Sequence, residues 1–255
     1  MRIGRAVVDS IERHGVIDGD RFHVLDGDVF GTHRRTGQVL ALDDVVLLSP
    51  IVPGKILAAL GGFVDLGGSP WLTAKVVTSV SGDHGVIEYP DFIEALAMEA
   101  ELAVVIGRTV HRGSASDAAE AIFGFTCFND ATAPEFLDER NPRPFPDVYG
   151  AKSIDTFASM GPWIRADLDD DAIARGLEIV CRVNGTTVQQ GNTRDYVYAP
   201  SDVVRHASRT TTLFAGDVIA LGTPYPFPLV EVGDHVEIEI EGIGTLTNHI
   251  VRATR

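Results

Sequence analysis

The chain has 255 residues, 45% of them hydrophobic, and its 36 acidic against 21 basic side chains leave a formal charge of -15. This is enough apolar material for a sizeable core, arranged as one large domain or as one domain with a small appendage. The charge argues against nucleic acid and anionic membrane surfaces as partners, because both repel an acidic protein.

The N-terminal "MRIGRAVVDS" lacks the apolar segment and cleavage site of a secretory leader, and no apolar run approaches the roughly 20 residues that cross a bilayer. A soluble, cytoplasmic protein is therefore expected. Residues 1–52 read as short strands separated by turns. Asp18-Gly19 and Asp26-Gly27 are dipeptides that favour tight hairpins, so a small β meander is expected. Pro50 and Pro53 then interrupt the apolar pattern and suggest a boundary. Two pairs, Gly61-Gly62 and Gly67-Gly68, make "LGGFVDLGG" a candidate lid, but it lacks the order of a dinucleotide-binding loop.

The next strand signal is "EAELAVVIG", residues 99–107. Side chains alternate faces along a strand, so Glu99 and Glu101 point the same way. In "HVEIEIEG" the glutamates 237, 239 and 241 alternate with apolar residues to the end, the pattern of a half-wet strand. In "EAELAVVIG" the glutamate face continues as Ala103 and Val105, so both faces become dry. Two carboxylates at the mouth of a buried strand repel unless a cation lies between them. Further on, "GFTCFND" is apolar on both faces and delivers Asp130 from an interior position. All-oxygen ligation of this kind suits Mg2+, Mn2+ or Ca2+ rather than zinc. A hydrogen-bonded buried acid or an Asn-Asp turn would give the same pattern.

Two helices are expected. One, in "SASDAAEAIFG", has Ser114 or Ser116 as its cap and Gly124 as its stop; the other, in "PSDVVRHASR", has Ser201 as its cap. Proline-rich loops are expected at 132–150 and 222–234, long enough to be functional. Cys127 and Cys181 sit in apolar context without a metal or disulfide spacing and read as buried thiols.

Six segments in series, "EAELAVVIGR", "GFTCFND", "AKSIDTFASMGPWI", "VNGTTVQQGNTRD", "LFAGDVIALGTP" and "IEGIGTLTNHI", resemble the fumarylacetoacetate hydrolase family over about residues 55–252. The first fifty residues are similar to the small β domain of many bacterial members. The resemblance implies an α+β, mainly β fold, with a small N-terminal β domain at 1–52 and a mixed β-roll/sandwich catalytic domain at 53–255. It also implies Mg2+ or Mn2+ held by Glu99, Glu101 and Asp130, and a homodimer acting on a small-molecule substrate. Lys152, by itself readable as a surface charge in a strand, becomes the group that reaches the bound substrate. Gln189 and Thr223 become substrate-side candidates.

The family's chemistry is that of 2-oxo and 1,3-dicarbonyl acids, whose enolates a metal stabilises. The segment "ALGGFVDLGGSPW" departs from the family pattern. Gly62 and Phe63 replace an Asn-Tyr pair, and Leu66 stands where a water-activating histidine is usual, with Asp65 a weak substitute base. Pro134 occupies the place of an arginine that grips the substrate carboxylate, for which Arg140 or Arg143 could compensate. Leu221 replaces a common threonine. C–C cleavage by hydrolysis or decarboxylation is expected; isomerisation or hydration on the same metal, and a silent ligand-binding paralogue, are the alternatives.

Overall fold

The computed structural model describes residues 1–138 and 145–254. Its architecture is α+β and mainly β. The chain opens with β1 (Arg2–Val8), β2 (Ile11–Asp18), β3 (Arg21–Gly27) and β4 (His33–Ala41), an antiparallel meander. The first expected hairpin is tight, since Asp18 pairs with Arg21 across Gly19, whose φ is 55°. The second is longer. Gly27 has φ 101° at the end of β3, and Asp28 builds its own turn by accepting the Phe30 amide at 3.0 Å.

Then follow β5 (Ile56–Leu60), β6 (Trp71–Lys75), β7 (Val80–Ser81), β8 (Gly85–Tyr89), β9 (Leu96–Ala97) and β10 (Ala100–Ile106). Helix α1 (Ala115–Ala121) is capped by Ser114, whose hydroxyl and Asp117 form a reciprocal capping box. It passes directly into β11 (Ile122–Asp130), so Gly124 lies inside a strand and does not stop the helix; a Cβ there would meet the Arg165 carbonyl at 2.5 Å. Helix α2 (Val148–Lys152) and β12 (Ala158–Arg165) come next, followed by α3 (Asp170–Arg175), β13 (Glu178–Val183) and β14 (Thr186–Asn192). In α4 (Pro200–Thr210) the proline takes the first helical position and Ala199 is the cap, displacing Ser201 from that role, because the ring presets a helical φ. The chain ends with β15 (Val218–Ala220), β16 (Leu229–Val230), β17 (His235–Ile240) and β18 (Gly244–Arg252).

Among the described residues the larger sheet runs β4-β3-β2-β1-β12-β11-β10-β15-β5-β6, with β7 beside β12. The second runs β14-β13-β17-β18-β8, and β9 pairs with β16 inside the expected 222–234 loop. The N-terminal meander therefore joins the large sheet directly, through Arg2↔Arg165 and Ile3↔Ile164.

Strand β10 is central in this sheet, and all seven of its residues are buried. Leu102, Val104 and Ile106 enter one core with Phe125 of β11 and with Ile179 and Ile238 from the second sheet, while Ala103 and Val105 enter another with Phe128, Met160 and Ile164. By contrast β17 alternates buried Val236, Ile238 and Ile240 with half-buried neighbours, as its glutamates imply. Both cysteines are buried and free. No helix among the described residues is long and apolar enough to cross a membrane.

Candidate metal centre and its cavity

Glu99 precedes β10, Glu101 is its second residue, and Asp130 closes the neighbouring β11. The register Ala100↔Asn129, continued by the Asp130 amide on the Glu99 carbonyl at 3.0 Å, brings the three carboxylates to one spot. One oxygen from each lies within 4.8 Å of the others, and all three residues are buried.

Two lysines face this cluster. The large sheet curls so that Lys75, the last residue of its edge strand β6, donates to Asp130 Oδ1 and to the Ala131 carbonyl, the latter at 3.1 Å. Lys152 Nζ donates to Glu99 Oε1 at 2.8 Å and to Asp130 Oδ2 at 2.7 Å. Contrary to the strand expected for it, Lys152 ends helix α2, which starts because Asp147 accepts the Gly150 amide at 2.8 Å. Thr132 donates to Glu99 Oε1 at 2.6 Å, and the Gly222 amide donates to Glu101 Oε2 at 2.7 Å.

The electrostatics divide the acids. Burial raises Glu101 well above its usual 4.5, and the charges of Asp130 and Glu99 add to the effect. Burial also raises Glu99, against the opposing pull of Lys152. Asp130 is buried too, but Lys152 and Lys75 together hold it below the usual carboxylate value. Burial opposes the charge of Lys152, yet Asp130 and Glu99 raise it above an ordinary lysine, whereas burial wins at Lys75 and lowers it.

Three carboxylates face two ammonium groups, and Glu101 is the acid that neither lysine pairs with, so ionising it leaves a charge for a cation to balance. An all-oxygen donor set of this size, already dry and preorganised, fits a hard divalent cation such as Mg2+, Mn2+ or Ca2+, and its lack of His or Cys is wrong for zinc.

Glu99, Glu101 and Lys152 form the polar floor of a cavity of about 450 Å³, which Thr223 also lines. The other sequence candidates lie elsewhere. Gln189 is buried, but its carbonyl accepts the Ala100 amide at 3.0 Å while its NH2 donates to Thr223 Oγ1 at 3.1 Å and to the Pro226 carbonyl at 2.7 Å. It is a strut that ties the 222–226 segment to β10, not a cavity wall. Asp65 is exposed, and its carboxylate accepts the Gly67 amide at 2.9 Å. Arg140 and Arg143 lie outside the described residues.

The candidate lid is half pinned. A Cβ on Gly62 would sit 2.0 Å from the Leu221 carbonyl, and the Gly62 carbonyl accepts the Val197 amide at 2.9 Å. Gly67 and Gly68, with φ near 90° and open space around them, retain the conformational freedom. Sequence reasoning missed Lys75, Thr132 and the Gly222 amide. Lys75 carried the same signal as Lys152, a lone cation in an apolar run, "WLTAKVV".

The chain is similar to known proteins in both sequence and fold. The family model described as fumarylacetoacetate (FAA) hydrolase C-terminal matches residues 64–251, and one described as Rv2993c-like, N-terminal matches residues 1–50. The mitochondrial oxaloacetate tautomerase FAHD2B of Homo sapiens is 32% identical over 229 residues, covering 84% of this chain and 72% of its own. The crystal structure of 5-carboxymethyl-2-hydroxymuconate delta-isomerase from Mycobacterium smegmatis superposes with a TM-score of 0.91 at 34% identity, covering 99% of this chain and 100% of that one. The 2-hydroxyhepta-2,4-diene-1,7-dioate isomerase of Mycobacterium marinum gives a TM-score of 0.90 at 33% identity, with 100% of both chains covered.

Proposed function

The chain belongs to the fumarylacetoacetate hydrolase family, and from that premise we propose that it is a divalent-metal-dependent enzyme that moves a proton beside the carbonyl of a small 2-oxo acid. It is a tautomerase or isomerase rather than a C–C hydrolase. The observation that carries this reading is the set of titratable groups around the cavity. Among its described lining residues these are Glu99, Glu101, Lys152 and Tyr225, with no histidine and no carboxylate outside the cluster. Hydrolysis needs an activated water. Proton movement needs chiefly an electrophile and fixed positive charge where the enolate oxygen develops.

Held by Glu99, Glu101 and Asp130, Mg2+ or Mn2+ would supply the charge that acidifies a C–H bond next to a carbonyl. Lys152 stays protonated because two carboxylates hold it, so it acts as a fixed cation toward an enolate oxygen and not as a base. Phe63 and Leu66 give the cavity an apolar wall, which raises the worth of each of these charges. The names of the human and mycobacterial relatives, a tautomerase and two isomerases, support the same class of reaction.

The test follows the enol absorbance of a 2-oxo acid with protein stripped by a chelator and then reloaded. Catalysis should return with Mg2+ or Mn2+. Lys152→Met should lose on the order of 10²-fold in kcat while still gaining thermal stability from the metal. Undiminished turnover in chelator, or faster release of two carboxylate products from an acylpyruvate than tautomerisation, would overturn the assignment.

A further inference from the structure

The cavity above the three acids is chemically lopsided. Its floor is Glu99, Glu101 and Lys152, while Phe63, Val64, Leu66, Leu137, Tyr225 and Phe227 supply most of the rest. Lys152 is the one cation among the described lining residues, and it is already held by Glu99 and Asp130. At the mouth, Tyr225 is 83% and Phe227 48% exposed, with ring centroids 5.7 Å apart in an edge-on arrangement. Leu66 folds back over the Gly61 backbone, where an added Cβ would meet its Cδ1 at 2.6 Å. The loop thus presents hydrocarbon to the cavity.

A substrate that puts its 2-oxo carboxylate on the floor must lay its remaining substituent along these walls. A second carboxylate there would lie against hydrocarbon with no described cation to receive it, which disfavours it. An aryl or branched alkyl group would instead bury apolar surface, and the two aromatic rings at the mouth suit an aryl edge.

We infer that this enzyme takes 2-oxo acids bearing an apolar, preferably aromatic, substituent rather than the carboxylate-bearing substituents found in the compounds its relatives are named for. The inference rests on the proposed 2-oxo acid chemistry of the same site. The reaction itself is a ketonisation in which one proton leaves the enol oxygen and one forms the C–H bond at C3. No oxidant or reductant is consumed.

The experiment has two arms, both using the full chain loaded with Mg2+. In the first, calorimetry compares phenylglyoxylate, which has no C3 hydrogen and cannot enolise, with its 4-carboxy derivative. The unsubstituted acid should bind about tenfold tighter or better; equal or tighter binding of the diacid would overturn the inference whether or not the protein is a tautomerase. In the second, tautomerisation of phenylpyruvate is compared with that of oxaloacetate, and phenylpyruvate should have the higher kcat/KM. Turnover of neither compound, with the binding preference intact, would sink the proposed activity and leave the apolar specificity standing.

Leu66→Arg plants a cation on the wall at a side chain 43% exposed, so the fold should tolerate it. This variant should shift the binding preference toward the 4-carboxy acid by about tenfold, mainly through KM in the kinetic arm. An unchanged preference in a variant with wild-type melting would remove Leu66 from the specificity wall and overturn the geometry argued for the substituent.

Discussion

Glu101 is a carboxylate in the core whose hydrogen-bond donor among the described residues is a single amide, that of Gly222. Burial and two neighbouring acids disfavour its charge, so the metal-free protein bears an electrostatic cost that a divalent cation would relieve. Glu101→Gln should therefore raise the melting temperature of metal-free protein. The same change should abolish the added stability that wild type gains from metal, about 2.7 kcal/mol at a hundredfold excess over Kd. Differential scanning calorimetry with and without Mg2+ measures both quantities, and an undiminished metal gain in the variant would remove Glu101 from the ligand set. Glu99, Glu101 and Asp130 were legible in sequence because each sits on a segment whose other residues are apolar on both faces. Lys75 carried only the lone-cation signal in "WLTAKVV", and its strand β6 is an edge with a half-exposed pattern, in which a lysine reads as solvated until the fold carries it to Asp130.

At the level of elements, regular alternation was readable, as was the Ser114 cap that starts α1, but α2 was not. Strand β17 follows its polar-apolar alternation residue by residue, whereas α2 has five residues, too few for a helical period, and owes its start to the single cap Asp147. The meander β1–β4 was anticipated from its turn dipeptides, and it contains a titratable weak point. His14 on β2 donates its Nε2–H to the Pro50 carbonyl at 3.2 Å. Burial lowers its pKa below 6.5, helped by the charge of Arg5 and opposed by the Pro50 carbonyl, Asp28 and Glu12. The folded chain then binds fewer protons at His14 than the unfolded one between its lowered value and 6.5. Stability from this residue is thus complete above 6.5 and is lost as pH falls through that window. Acidification from pH 7 to about pH 5.5 should lower the melting temperature more in wild type than in His14→Gln, which keeps an N–H for Pro50. Hydrogen exchange should place the difference in β1–β3. Parallel melting curves for the two proteins would show that His14 titrates no differently folded and unfolded.

Over the whole molecule, the proline-marked boundary near residue 50 and the sheet topology describe the same chain differently, and the sheet decides how it should unfold. Sequence can mark Pro50 and Pro53 as interruptions, but strand pairing across more than 150 positions leaves no local trace, so Ile3↔Ile164 was not readable. Ile3 and Ile164 are both fully buried and share a core with Val105, on the glutamate face of β10. Removing residues 1–50 would leave β12 without β1 over that pairing, which invites pairing with another copy. It would also withdraw Ile3, worth about 1.5–3 kcal/mol of burial by itself. A chain of residues 51–255 should consequently melt well below the full protein and scatter light at concentrations where the full protein does not. The full protein should unfold in one calorimetric transition, because the meander's own cluster of Ala6, Val8, Ile17, Phe22 and Val24 is small, packs against Trp163 of β12, and is tied to the main core through Ile3. Two resolved transitions, or a truncated chain with unchanged melting, would mean that the shared sheet contributes little and that the first fifty residues are an independent unit resting against the rest of the chain.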